Sequence, residues 1–160
     1  MFLPAGMGQP MKYVFLNGSP NKKGNTARLA ATLLEGTDYS TIDLYDYHIA
    51  FYGQCDIADQ FSTVLAALED ADVIVMGAPM YWHSMSAAFR NFLDRSYGGI
   101  PEGALAGKDL YFVFQGAAPT TEQLAAADYT MGRYASLYGM RYKGLVSTAR
   151  EAAAANVALA

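Results

Sequence analysis

Three short stretches of the chain hold residue types that bind ligands rather than fill a core. In the first, Ser19, Asn21, Asn25 and Thr26 surround Gly18 and Gly24. Hydroxyl and amide side chains there, with free backbone N–H groups at a helix start, make a nest for a phosphate. The same residues also suit an ordinary strand-to-helix turn, and the stretch alone does not choose between the two readings. It is not a Walker A loop, because five residues separate Gly18 from Gly24 and Asn25 stands where that motif needs lysine. No G-x-G-x-x-G occurs either. Lys22 and Lys23 either add charge to the nest or are simply solvated.

The second stretch, Ala78-Pro79-Met80-Tyr81-Trp82-His83-Ser84, crowds large side chains behind a proline that fixes the backbone. Such a loop can lay apolar surface against a planar ring and aim backbone N–H groups at its edge. Filling a core or a subunit interface is the competing use for Tyr81 and Trp82. His83 reads as a polar loop residue. The third stretch, Gln115-Gly116-Ala117-Ala118-Pro119, offers small residues that let a ligand approach the backbone. Cys55 has no second cysteine and no adjacent basic group, so it reads as a buried or inert thiol. There is no G-x-S-x-G, no H-E-x-x-H and no carboxylate pair placed for catalysis.

Each stretch follows an apolar, β-prone run: residues 12–16, 72–77 and 110–114. Further strands are expected over 41–45 and 141–147. Between them lie helical periodicities. The first is capped by Asn25 or Thr26 and closed near Gly36, and the second opens at Asp59. The third runs from about Ser84 through Met85, Ala88, Phe89, Phe92 and Leu93. The fourth has a Thr120/Gln123 capping box and closes at Gly139, and an alanine-rich helix ends the chain. Continuously apolar strands alternating with helices predict a doubly wound α/β domain, a parallel sheet with helices on both faces. Such sheets bind ligands at the carboxyl ends of their strands, where all three stretches fall.

Composition agrees with one such domain. The chain has 160 residues, a hydrophobic fraction of 52%, a charged fraction of 16% and a net charge of −4. These values exclude a disordered chain, and a pI near 5.0 argues against a nucleic-acid surface. One cysteine excludes an internal disulfide, a four-cysteine zinc site and an all-cysteine iron–sulfur cluster. No apolar run reaches membrane-spanning length. Residues 1–10 read as a flexible leader and 11–160 as a single soluble, cytoplasmic domain.

The runs Asn17-Gly18-Ser19-Pro20, Gly24-Asn25-Thr26 and Ala71 through Trp82, with Ser84-Met85-Ser86 and Phe89 through Arg95, resemble the flavodoxin-like NAD(P)H-dependent FMN reductase family. The resemblance covers Met11 to about Val146. It implies a flavodoxin-like, five-stranded sheet with FMN as cofactor and NADPH or NADH as co-substrate. Ser19, Asn21, Asn25 and Thr26 would hold the FMN phosphate. Pro79, Met80, Tyr81 and Trp82 would lie along the flavin ring, and Gln115, Gly116 and Ala117 would complete its site. The family resemblance also implies a homodimer with flavin near the interface. Some relatives carry arginine where Asn21 stands and lysine where Arg90 stands. Relatives with an iron–sulfur cluster have a cysteine-rich segment where this chain has Tyr52-Gly53-Gln54-Cys55.

The implied activity is hydride transfer from NAD(P)H to FMN and on to a small acceptor: a quinone, a nitro or azo compound, or free flavin. Hydride transfer between stacked rings needs no acid–base constellation, which fits the lack of one here. The alternative is a flavodoxin-type electron carrier with no direct NAD(P)H reaction, although such carriers are usually more acidic. A module that has lost its cofactor is the third reading.

Overall fold

Side chains along the apolar runs alternate between two sides, and that alternation decides how the sheet is covered. The computed structural model describes residues 9–160. The leader read over 1–10 lies outside the described residues except for 9 and 10. The strands are β1 (Tyr13–Asn17), β2 (Tyr39–Asp43), β3 (Val73–Tyr81), β4 (Ser84–Met85), β5 (Asp109–Gln115) and β6 (Arg141–Val146). Five of them run parallel in the order β2-β1-β3-β5-β6, the flavodoxin-like order once β4 is set aside.

The sheet therefore has six strands, one more than expected. The extra strand, β4, folds back antiparallel on the end of β3, pairing Met80 with Met85 and Tyr81 with Ser84. Ser84 thus belongs to a hairpin and does not open a helix. The helices are α1 (Asn25–Leu33), α2 (Phe61–Asp70), α3 (Ala87–Ser96), α4 (Thr121–Tyr138) and α5 (Ala149–Ala154). Among the described residues, no helix is long and apolar enough to cross a membrane.

Val14, Leu16, Ile74, Met76, Leu110, Phe112 and Phe114 face α2, α3 and α4. Phe15, Val73, Val75, Tyr111 and Val113 face α1 and α5. Both faces of β1, β3 and β5 are buried, so these three read as unbroken apolar runs, while the edge strands β2 and β6 are partly exposed. An aromatic seam joins α3 to the sheet: Phe89 stacks on Phe112 at 5.6 Å, and Phe112 on Phe114 at 5.8 Å. This seam fixes the start of α3 beside the carboxyl ends of the strands.

Helix starts follow the sequence only in part. The Thr120/Gln123 box caps α4, and Gly139 closes it at φ 75°, where a side chain would be strained. The first helix is instead preceded by Gly24, with no side-chain cap. The second is preceded by Gln60, because Asp59 is engaged elsewhere: its carboxylate accepts from Arg95 Nη2 at 2.6 Å and from the Ala50 N–H. Ser86, just ahead of α3, also declines to cap and donates its hydroxyl to the Gly18 carbonyl at 2.6 Å.

Candidate functional site

The order in which the parallel strands are added reverses between β1 and β3, since β2 lies to one side of β1 and β5 to the other side of β3. Loops leaving the two strands part there and open a cleft of about 260 Å³. Ser19, Asn21, Gly24 and Asn25 line one side of it. Pro79, Met80 and Tyr81 of β3 and Gln115, Gly116 and Ala117 after β5 line the other. The structure thus gathers nine of the eleven residues singled out from the sequence, and adds Gly24.

The β1 loop is built from interlocking local bonds. Asn17 Oδ1 accepts from the Ser19 N–H, Ser19 Oγ from the Asn21 N–H, and Asn21 Oδ1 from the Lys23 N–H, each at 3.1 Å. Asn25 Oδ1 accepts from Arg28 Nη1 at 3.3 Å. The loop and its neighbouring arginine therefore engage the side-chain acceptor of each lining residue. The Ser19 proton, the Asn21 and Asn25 amide nitrogens and the first N–H groups of α1 are left as donors. No acidic residue occupies the first turn of α1, and no carboxylate lines the cleft. A donor-rich, acceptor-poor pocket at a helix start suits a dianionic phosphate.

The loop is also clamped as a unit. The Gly18 N–H donates to the Gly77 carbonyl at 2.8 Å, while its own carbonyl takes the Ser86 hydroxyl. A Cβ at Gly18 would stand 2.7 Å from Phe89 Cβ and 2.9 Å from Gly77 O, so only glycine fits. Gly18, Gly77 and Ser86 are thus supports that no local motif announces.

Two predicted residues fall outside the lining. Thr26 is fully buried behind the cleft, where its Oγ1 accepts from Gln115 Nε2 at 3.0 Å and so ties the β5 loop to α1. That bond turns the Gln115 carbonyl oxygen away from Thr26. Trp82 stands at the tip of the β3–β4 hairpin and is 94% exposed. Both turn residues have positive φ, 47° for Trp82 and 64° for His83, a costly conformation for bulky side chains. The turn thus combines an unfavourable backbone with an exposed indole beside the cleft.

Charge is distributed differently from the sequence expectation. Lys22 turns away from the cleft to Asp46 at 2.5 Å, with Asp43 at 3.7 Å, and the Asp46 carboxylate raises its pKa above the ordinary lysine value. Arg28, exposed and without a carboxylate partner among the described residues, is the cation beside Asn25. Its signal was available: an arginine and no acid near a helix start runs against the helix dipole.

A larger cavity of about 510 Å³ lies on the flank of α3 and α4, with Tyr52, Leu93, Tyr97, Arg133 and Leu137 among its walls. It shares no residue with the strand-end cleft. Its wide mouth and aromatic rim suit a partner surface better than a phosphate-bearing ligand.

A doubly wound parallel sheet in the strand order β2-β1-β3-β5-β6 defines the flavodoxin-like class. Within that class, the chain belongs to the NADPH-dependent FMN reductase family, whose model matches residues 11–150. An iron-sulfur flavoprotein from Archaeoglobus fulgidus is 34% identical over a match covering 54% of this chain and 49% of the relative. One from Methanocaldococcus jannaschii is 31% identical, covering 54% and 52%. The chain spans about half the length of these curated relatives. In a crystal structure, the apo form of an NADH:FMN oxidoreductase named EMOB superposes with a TM-score of 0.64 at 26% identity, covering 86% of this chain and 74% of that one. A WrbA-like flavodoxin from Agrobacterium tumefaciens shares the fold, with a TM-score of 0.64 at 18% identity, covering 93% and 92%. The cluster in the archaeal names does not transfer, since Cys55 alone cannot supply the thiolates.

Proposed function

We propose that the chain binds FMN in the strand-end cleft and works as an NAD(P)H-dependent flavin oxidoreductase, with residues 11–160 as one cofactor domain. The observation that carries this reading is the set of unused donors around Ser19, Asn21 and Asn25. Their acceptors are engaged, so they favour an acceptor-only group such as a phosphate. Family membership and the EMOB likeness support the same reading.

Ser19, Asn21, Asn25 and the start of α1 hold the phosphate, with Arg28 supplying positive charge. Thr26 acts indirectly by orienting Gln115. Pro79, Met80 and Tyr81 form one wall for the flavin ring and Gly116 and Ala117 another, with Trp82 at its outer edge. Bound FMN supplies the redox chemistry, taking hydride from NADPH or NADH and returning electrons to a small acceptor such as a quinone, nitro or azo compound, or free flavin. The chain's own work is to orient the ring and leave one face open to both partners in turn. The apolar flank of α3 and α4 supports a homodimer, and an unpaired Cys55, exposed rather than buried as the sequence allowed, fits a reducing, cytoplasmic setting.

An anaerobic absorption spectrum of the FMN-loaded chain, before and after adding NADPH or NADH, tests the reaction. Rapid bleaching of the flavin is expected. Flavin that binds but stays oxidised would place the chain with flavodoxin-type carriers instead.

A further inference from the structure

A two-residue hairpin turn with both residues at positive φ is normally built from asparagine and glycine. Here Trp82 and His83 adopt it, so something outside the turn must hold it. Among the described residues, the one side-chain hydrogen bond of this turn joins His83 Nδ1 to Gln123 Nε2 at 2.6 Å. The other end of the same amide is already engaged, since Gln123 Oε1 accepts from the Thr120 N–H at 2.8 Å in the α4 capping box. A backbone N–H can only donate, so it fixes the carbonyl end of Gln123 toward itself. The amino end must then face His83, and His83 Nδ1 must be the bare, accepting nitrogen.

We propose that His83 and Gln123 form a positioning pair that holds the Trp82 turn against α4 only while His83 is neutral. Protonation would put an N–H on Nδ1, directly opposite the amino group of Gln123. Rotating the amide to present its oxygen would set its amino group against the Thr120 N–H, so one donor clash would replace another. The capping box makes this contact one-way.

The cavity beside the ring offers a protonated Nδ1 no carboxylate in exchange. The small cavity of about 80 Å³ beside it has one charged wall residue, Arg90 of α3, which is itself bonded to Asp94 at 3.1 Å. Gln123, Ala126, Ala127 and Thr130 of α4 and Phe114 of β5 are neutral. Glu122, the carboxylate at the start of α4, is turned onto its own N–H and the Thr120 hydroxyl, which hold its pKa below the usual value. Protonation of the ring therefore releases the turn.

The effect on the cofactor rests on the reading of this hairpin as part of an FMN site, but the pair itself can be tested without flavin. Trp82 is the chain's one tryptophan, so its fluorescence anisotropy decay reports the turn directly. In the flavin-free chain, the amplitude of fast indole motion should at least double between about pH 8 and about pH 5. His83→Asn, which tolerates the left-handed backbone, should abolish that change. His48→Asn alters the other histidine and should leave it intact. Gln123→Leu should give the high amplitude at both pH values. A flat wild-type amplitude, or a change that survives in His83→Asn, would overturn the proposal. In the loaded chain, FMN should bind about three- to tenfold more weakly at the lower pH, and equally at both in His83→Asn. If flavin never binds while the anisotropy change appears, the cofactor reading fails and the positioning pair stands.

Discussion

The loop after β1 and the hairpin after β3 face the same cleft but are held in opposite ways. Residues 17–25 sit in a lattice of local bonds, and Ser19 is only 5% exposed. The hairpin tip runs against backbone preference, exposes its indole and depends on one bond from a neighbouring helix. A group with fixed shape and charge, such as a phosphate, rewards the first kind of construction. A ring that must meet two different substrates in turn rewards the second, because a strained and accessible edge can adjust. The cleft thus divides into a rigid polar half and an adjustable aromatic half.

The largest effect should come from the rigid half. Gly18→Ala forces a Cβ into Phe89 and the Gly77 carbonyl, and should cost about 3 kcal/mol in denaturant unfolding. FMN affinity should fall with it. A mild loss would mean that the loop is softer than its contacts indicate.

Arg28→Ala should weaken FMN binding roughly tenfold, about 1.4 kcal/mol, and leave riboflavin binding unchanged. Equal losses for both ligands would detach the arginine from the phosphate. Trp82→Asn probes the adjustable half. Asparagine suits the left-handed turn, so thermal stability should rise by about 1 kcal/mol while NAD(P)H-dependent turnover falls. A stability gain with full activity would show that the indole has no part in the reaction.

The smallest effect lies outside both halves and serves as their control. Arg95 beside Asp59 holds that carboxyl below its ordinary pKa, with the Ala50 N–H adding to the shift. A depressed folded value stabilises the protein above the unfolded pKa, and the gain is lost as pH falls through the folded value. Asp59→Asn should therefore cost under about 1 kcal/mol at neutral pH, and the difference should vanish in acid. FMN affinity should not change.

Legibility in the sequence follows the same division. The apolar runs at Val73–Met76 and Leu110–Phe114 declare buried parallel strands, and Thr120 with Gln123 declares the start of α4, because both signals are local. The lining residues could be named because strand ends in such sheets face ligands. Asp59 looked like a helix cap but its carboxylate serves Arg95, and Ser86, ahead of α3, serves Gly18; both partners lie far along the chain. The hairpin was hidden for a related reason. Trp82-His83 carries none of the asparagine or glycine that marks its turn, and β4 is two residues long, too short to show a period. Thr26 and Lys22 have suitable chemistry for a phosphate, but packing buries one and Asp46 claims the other.

Titrating the flavin-free chain with FMN and with riboflavin, followed by flavin fluorescence, tests the central claim most directly. If the β1 loop holds the phosphate and the β3 and β5 loops hold the ring, FMN should bind at least roughly 100-fold more tightly than riboflavin. Equal affinities, or no binding of either, would contradict it.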